Sequence, residues 1–120
     1  MSFEKIVNTL KISKEYMLKF VKEGQVVLDC TVGNGNDTLM LARCVGSSGK
    51  VYGFDIQKEA IEKTKEKLAC EKLDKHVILI LDGHENIDLH IKEKLDFIIY
   101  NLGYLPGGDK RIITKKESTL

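Results

Sequence analysis

The apolar residues of this chain change their period repeatedly, from short continuous runs to helix-face spacing and back. A strand followed by a helix and another strand must cross over and pair in parallel, so this alternation restricts the fold more than any other feature. Tyr16, Met17, Phe20 and Val21 share one face of a helix starting near Ser13 and ended by Gly24. Val26-Val27-Leu28 reads as a short buried strand ending at Asp29. Leu41, Ala42 and Val45 mark a helix that stops at the Gly46-Ser47-Ser48-Gly49 turn, and Val51 to Phe54 forms a second strand ending at Asp55. Ala60, Ile61, Thr64 and Leu68 line one face of the next helix, whose outer face alternates Lys and Glu. The third strand, Val77 to Leu81, is wholly apolar and is expected to be covered on both faces. A short helix around Ile87 to Ile91 leads to a fourth strand, Phe97 to Tyr100. The expectation is an α/β fold, a parallel sheet with helices on both faces, whose ligand site lies at the carboxyl ends of the strands.

The 120 residues suit one domain, 1–120. A net charge of +1 gives no global basic excess, so any RNA contact must come from a local patch. The three cysteines, Cys30, Cys44 and Cys70, form no C-x-x-C pair, which suits a reducing compartment and a cytoplasmic protein. His76, His84 and His90 are too scattered for a metal site, and none is expected. Met1 to Leu10 carries Glu4, Lys5 and Asn8 and does not read as a signal peptide. No apolar run approaches the ~20 residues of a membrane span.

The glycine loop runs Asp29-Cys30-Thr31-Val32-Gly33-Asn34-Gly35-Asn36-Asp37-Thr38. Gly33 and Gly35 allow a sharp turn and close approach of a ligand, and the following helix points free N–H groups at it. Asp55, at the tip of the second strand, can accept hydrogen bonds from both hydroxyls of a ribose. A nicotinamide or flavin dinucleotide would want G-x-G-x-x-G/A, but Thr38 stands at the third position. Asp29 ahead of the glycines, and a whole helix ahead of the first strand, favour S-adenosylmethionine over NAD. Thr31 to Thr38 is accordingly the expected cofactor loop. After the third strand, His84 in Asp82-Gly83-His84-Glu85 could stack on the adenine, and a carboxylate or backbone group could accept from its amino edge.

The run Tyr100-Asn101-Leu102-Gly103-Tyr104-Leu105-Pro106-Gly107-Gly108-Asp109-Lys110 holds the only proline and three of the ten glycines, as a specially shaped loop would. Methyltransferases acting on amino nitrogens carry Asn/Asp-Pro-Pro-aromatic here; this chain has Asn101 and Tyr104 around Leu102-Gly103. An Asn oxygen can accept hydrogens from an amine and aim its lone pair, and an aromatic ring can stack on a planar base.

The pieces D-x-T-x-G-N-G-x-D-T, G-F-D-I-Q and N-L-G-Y-L-P-G-G-D-K, from about Tyr16 onward, resemble the bacterial rRNA methylase family. Its members are understood as Rossmann-like, class I tRNA 5-(aminomethyl)-2-thiouridine methyltransferases. The resemblance implies that Asn34, Asn36, Asp37, Asp55, Gln57 and His84 line an S-adenosylmethionine site. It implies transfer of a methyl group to the aminomethyl nitrogen of a tRNA wobble uridine, or alternatively to ribosomal RNA. Asn101 and Tyr104 would orient the amine, and no residue is assigned as general base. Holding nitrogen, carbon and sulfur in line is worth up to roughly 7–11 kcal/mol. Lys110, Arg111, Lys115 and Lys116 flank this loop as a local RNA footprint, while the helix from Lys58 to Lys72 is charge-balanced.

Lys115 to Leu120 reads as the beginning of another helix, and a full sheet of this class has seven strands. Four are legible, so the C-terminal side is expected to be incomplete. Strand four would then be an exposed apolar edge, open to a partner chain such as a second copy. An inactive cofactor-binding fragment is the corresponding alternative.

Overall fold

A computed structural model describes residues 3–9, 14–102 and 109–115, with the strands 3–9 and 109–115 and residues 14–16, 101 and 102 described by backbone alone. In chain order the elements are β1 (Phe3–Thr9), α1 (Lys14–Phe20), β2 (Val26–Asp29), α2 (Asn36–Val45), β3 (Lys50–Asp55), α3 (Lys58–Cys70), β4 (Val77–Leu81), α4 (Ile87–His90), β5 (Phe97–Leu102) and β6 (Asp109–Lys115). Short 3-10 turns, Asp74–His76 and His84–Asn86, precede β4 and α4.

One sheet runs in the order β1-β6-β5-β2-β3-β4. Its parallel part is the four-stranded unit expected from the hydrophobic periods. Leu28 pairs with Tyr52 on one side and Ile98 on the other, and Gly53 pairs with Leu79. Asp29 and Asp55 both fall at strand ends, so their carboxylates share one rim of the sheet.

Side chains alternate across the strands and feed two cores. Val27, Val51, Phe97 and Ile99 pack with Met17 and Val21, with Leu41, Ala42 and Val45 of α2, and with Leu68 of α3. Leu28, Tyr52, Phe54 and Ile98 pack on the opposite face with Ile91 and Leu95. Each fully buried Val, Leu, Ile or Phe stabilises by about 1.5–3 kcal/mol relative to exposure. Ala60, Ile61, Thr64 and Leu68 form the buried stripe of α3, at the spacing its sequence prescribes.

Three expectations need correction. Strand four is no edge: β6 pairs antiparallel with β5 (Ile98↔Ile113, Asn101↔Lys110), and β1 pairs antiparallel with β6 (Ile6↔Ile113). Lys115 ends a strand instead of beginning a helix; residues 116–120, Lys116 included, lie outside the described residues, as does Ser13. The apolar third strand, β4, is not covered on both faces. It pairs only with β3 among the described strands, leaving Ile78 42% and Leu81 52% exposed. No helix among the described residues is long and apolar enough to cross a membrane.

Candidate functional site at the strand tips

The glycine loop is shaped by two strand-end carboxylates. Asp29 is 1% exposed, and it accepts from the Thr31 amide at 3.1 Å and from the Thr38 hydroxyl at 2.8 Å. One side chain thereby ties the start of the loop to the first turn of α2. The loop then leans on β3. Val32 N–H donates to the Phe54 carbonyl at 2.9 Å, and Gly33 N–H to Asp55 Oδ2 at 2.8 Å. Gly53 makes that contact possible, because a Cβ there would lie 2.7 Å from Val32 Cγ2.

Gly33 and Gly35 both have positive φ, 57° and 86°, a conformation costly for other residues. Their surroundings differ. A Cβ on Gly33 meets nothing within 4 Å, so this side of the loop is open to a ligand. A Cβ on Gly35 would lie 2.5 Å from Thr64 Oγ1. The close approach at Gly35 is therefore to α3, not to a ligand as the glycine spacing suggests.

Asp55, 8% exposed, also accepts from the Gln57 amide at 2.8 Å through Oδ1. Each oxygen keeps a second lone pair, and the side chain lines a cavity of about 300 Å³ with Cys30, Thr31, Ile56, Asp82, Gly83, His84 and Glu85. Asp82 closes the far wall. Its amide donates to the Asp55 carbonyl at 3.0 Å, and its carboxylate accepts from Gly83 N–H at 2.7 Å and Asn86 Nδ2 at 2.9 Å. His90 Nε2 lies 2.8 Å from the other oxygen, and its ring meets Phe54 edge-on. His90 first, then Asn86 and the Gly83 amide, hold the Asp82 carboxyl below the usual carboxylate range. The exposed His84 ring stands edge-on to Tyr100, 5.9 Å between centroids. Burial, then the neighbouring Asp29, pushes the Cys30 thiol up; burial, then Cys30, raises Tyr100. Both stay protonated, so neither offers an anionic nucleophile near neutrality.

Of the residues expected in the site, Thr31, Asp55 and His84 line this cavity, and Gly33 borders it through its bond to Asp55. Gln57 is exposed and touches Asp55 only through its backbone amide. Thr38 is fully buried with its hydroxyl on Asp29, which makes it a support of the loop and corrects its reading as a ligand contact. Asn34 accepts from the Asn36 amide through its side chain, and its carbonyl accepts from Lys67 at 2.5 Å. Asn36 faces a different, larger groove of about 540 Å³ between α2 and α3, with Arg43, Lys67 and Glu71. That groove lacks the convergence of strand-tip carboxylates, and the smaller cavity is the better candidate site. Asp37 is half-buried in the first turn of α2. Asn101 pairs with Lys110 through the backbone, its side chain outside what is described; Tyr104 lies outside the described residues altogether. Lys110, Arg111 and Lys115 all fall on β6.

Cys30 and Ile56 are lining residues that sequence reasoning missed. Each directly follows a strand-end aspartate, and that adjacency is the signal that could have found them. Among the described residues no three His, Cys, Asp or Glu side chains converge as a metal centre would need.

A profile of the family described as "Putative rRNA methylase" matches residues 51–120. The chain is 39% identical over 110 residues to the tRNA (mnm(5)s(2)U34)-methyltransferase, chloroplastic, of Arabidopsis thaliana, covering 83% of this chain and 40% of that protein. It is similar in structure to a Clostridium thermocellum protein described as "putative rRNA-methylase", with TM-score 0.72, 50% identity, and coverage of 79% of this chain and 51% of the other. A Streptococcus mutans protein described as "a putative methyltransferase", in complex with SAH, matches with TM-score 0.67 and 40% identity, over 78% of this chain and 51% of that one. The chain thus spans two fifths to one half of the length of these relatives.

Proposed function

This chain belongs to the rRNA methylase family, and from that premise we propose that it is the cofactor-binding part of an S-adenosylmethionine-dependent RNA methyltransferase. The observation that carries the reading is the convergence of Thr31, Asp55, which Gly33 N–H holds, and the Asp82–Glu85 wall on one cavity at the carboxyl ends of parallel strands. The cavity fits a nucleoside, with a buried carboxylate holding spare lone pairs for a ribose diol and an exposed apolar side chain, Ile56, beside it. Thr38 also argues against a dinucleotide, because its hydroxyl has a bonding role that a third glycine could not fill.

When bound, S-adenosylmethionine supplies an electrophilic methyl group on a sulfonium. Asp55 would accept from the ribose hydroxyls, while Asp29 and Thr38 keep the loop in the shape that leaves Gly33 open. Cys30 and Tyr100 remain neutral and present no competing nucleophile. Asn101, on β5, and Tyr104, two residues beyond that strand in sequence, would orient the amine that accepts the methyl group.

The finer reading is methylation of the aminomethyl nitrogen of 5-aminomethyl-2-thiouridine at the tRNA wobble position. The name of the chloroplast relative supports it, and the family description supports ribosomal RNA as a second reading. Calorimetry of the chain with S-adenosylmethionine beside NAD tests the cofactor, and methyl transfer to tRNA lacking its final methyl group, beside ribosomal RNA, tests the substrate. Binding of S-adenosylmethionine alone, with label entering only tRNA, is the expected result. Preference for NAD would overturn the cofactor assignment, and label confined to ribosomal RNA would overturn the wobble-uridine reading.

A further inference from the structure

The two halves of the glycine loop are held by different parts of the fold. The first half hangs from the strand tips: Asp29 accepts from the Thr31 amide, the Phe54 carbonyl from Val32 N–H, and Asp55 from Gly33 N–H. The second half, Asn34 and Gly35, rests on α3. Thr64 fills the space that a side chain on Gly35 would need, and Lys67 Nζ donates to the Asn34 carbonyl at 2.5 Å. Thr64 and Lys67 stand three residues apart and share one face of the helix. In the sequence Lys67 is one more charge in an alternating outer face. Glu71, the carboxylate that helical spacing offers it, is bonded to Arg43 at 3.1 Å, and the Lys67 ammonium reaches to the loop instead.

Resting on the reading that this loop serves S-adenosylmethionine, we propose that Lys67 is a positioning residue for the cofactor, acting through the Asn34–Gly35 peptide. The Asn34 carbonyl and the Gly35 amide belong to one rigid plane. Lys67 holds the oxygen end of that plane, and the nitrogen end donates to the Val32 carbonyl at 2.9 Å, closing the turn around Gly33. Gly35, at φ 86°, leaves the plane free to turn over, because glycine adopts φ of either sign at little cost. A flipped plane would take the Gly35 N–H away from Val32 and open the turn from which Gly33 donates to Asp55. A charged donor on the Asn34 carbonyl opposes that flip. Lys67 lines the groove between α2 and α3 and not the cavity at Asp55, yet it steadies the turn to which Asp55 is bonded.

The test pairs calorimetry with S-adenosylhomocysteine and amide hydrogen exchange, followed by NMR on the chain without ligand. Lys67→Met should weaken binding by about three- to tenfold, as expected for one exposed charge-assisted hydrogen bond. Exchange of the Gly35 and Asn36 amides should quicken in the same variant, while the amides of β2 and β3 keep their rates. Lys67→Arg should restore both affinity and exchange, because a guanidinium also donates to a carbonyl. Lys65→Met removes the same charge from another exposed position on α3 and should change neither. Unchanged affinity in Lys67→Met, a loss without faster exchange at Gly35 and Asn36, an equal loss in Lys65→Met, or failure of Lys67→Arg to rescue would each overturn the assignment. Failure of the unmutated chain to bind S-adenosylhomocysteine would instead overturn the proposed function. Lys67 is exposed, so its variants should fold, which circular dichroism verifies.

Discussion

Thr64 lies beneath the glycine loop with its hydroxyl fully buried and, among the described residues, without a hydrogen-bond partner. Its methyl and hydroxyl groups fill the space against the Cα of Gly35, which is why a side chain there is costly. Gly35→Ala would add a backbone conformation costing about 1–2 kcal/mol and an overpacking contact costing roughly 1–3 kcal/mol. A marked fall in melting temperature is expected. Thr64→Ala in the Gly35→Ala background should recover the steric part while leaving the conformational part, and Thr64→Ala alone gives up no hydrogen bond. Strict additivity of the two substitutions in thermal unfolding would mean that they do not touch. The loop's pattern was legible in the sequence, since D-x-T-x-G-N-G announces a strand-to-helix turn. The partner of each glycine was not, because Thr64 is distant in sequence and its contact is made only when α3 packs.

At the scale of elements, β4 and α4 are joined by the Asp82–His90 pair, with Asn86 between them. The folded state depresses the Asp82 carboxyl, so its contribution to stability is present above the ordinary carboxylate range and is lost as pH falls through the depressed value. His90→Leu removes the first cause of that depression. The stability gap between the unmutated chain and His90→Leu should be fully present above the ordinary carboxylate range and should close as pH falls through and below it. A gap that widens toward acid would show that Asp82 is not the partner. The four parallel strands and their helices could be read from period alone, because burial on one or both faces writes itself into local composition. β1 and β6 could not. Phe3–Thr9 mixes Glu4, Lys5 and Asn8 with its apolar residues, and Asp109–Lys115 reads as a basic surface; each becomes a strand through pairing across most of the chain, Ile6 with Ile113. β4 misleads in the opposite sense, since its unbroken apolar run reads as central while its position is at the edge.

Across the whole molecule, three strand tips distant in sequence meet at one rim, held by Val32 N–H on the Phe54 carbonyl and Asp82 N–H on the Asp55 carbonyl. A nucleoside seated there touches all three at once and can do so only after they are in register. Such a ligand recognises the finished sheet and has nothing to grip in a partly assembled one. Its effect on kinetics should therefore be one-sided. At a concentration about a hundred times its Kd it stabilises the native state by roughly 2.7 kcal/mol. All of this should appear as an unfolding rate slowed about a hundredfold, with the refolding rate unchanged. Stopped-flow measurements with S-adenosylhomocysteine would reveal this, and acceleration of refolding would mean that the tips assemble before the rate-limiting step. In the expected case the cofactor governs how long the folded chain lasts and has no part in how quickly it forms.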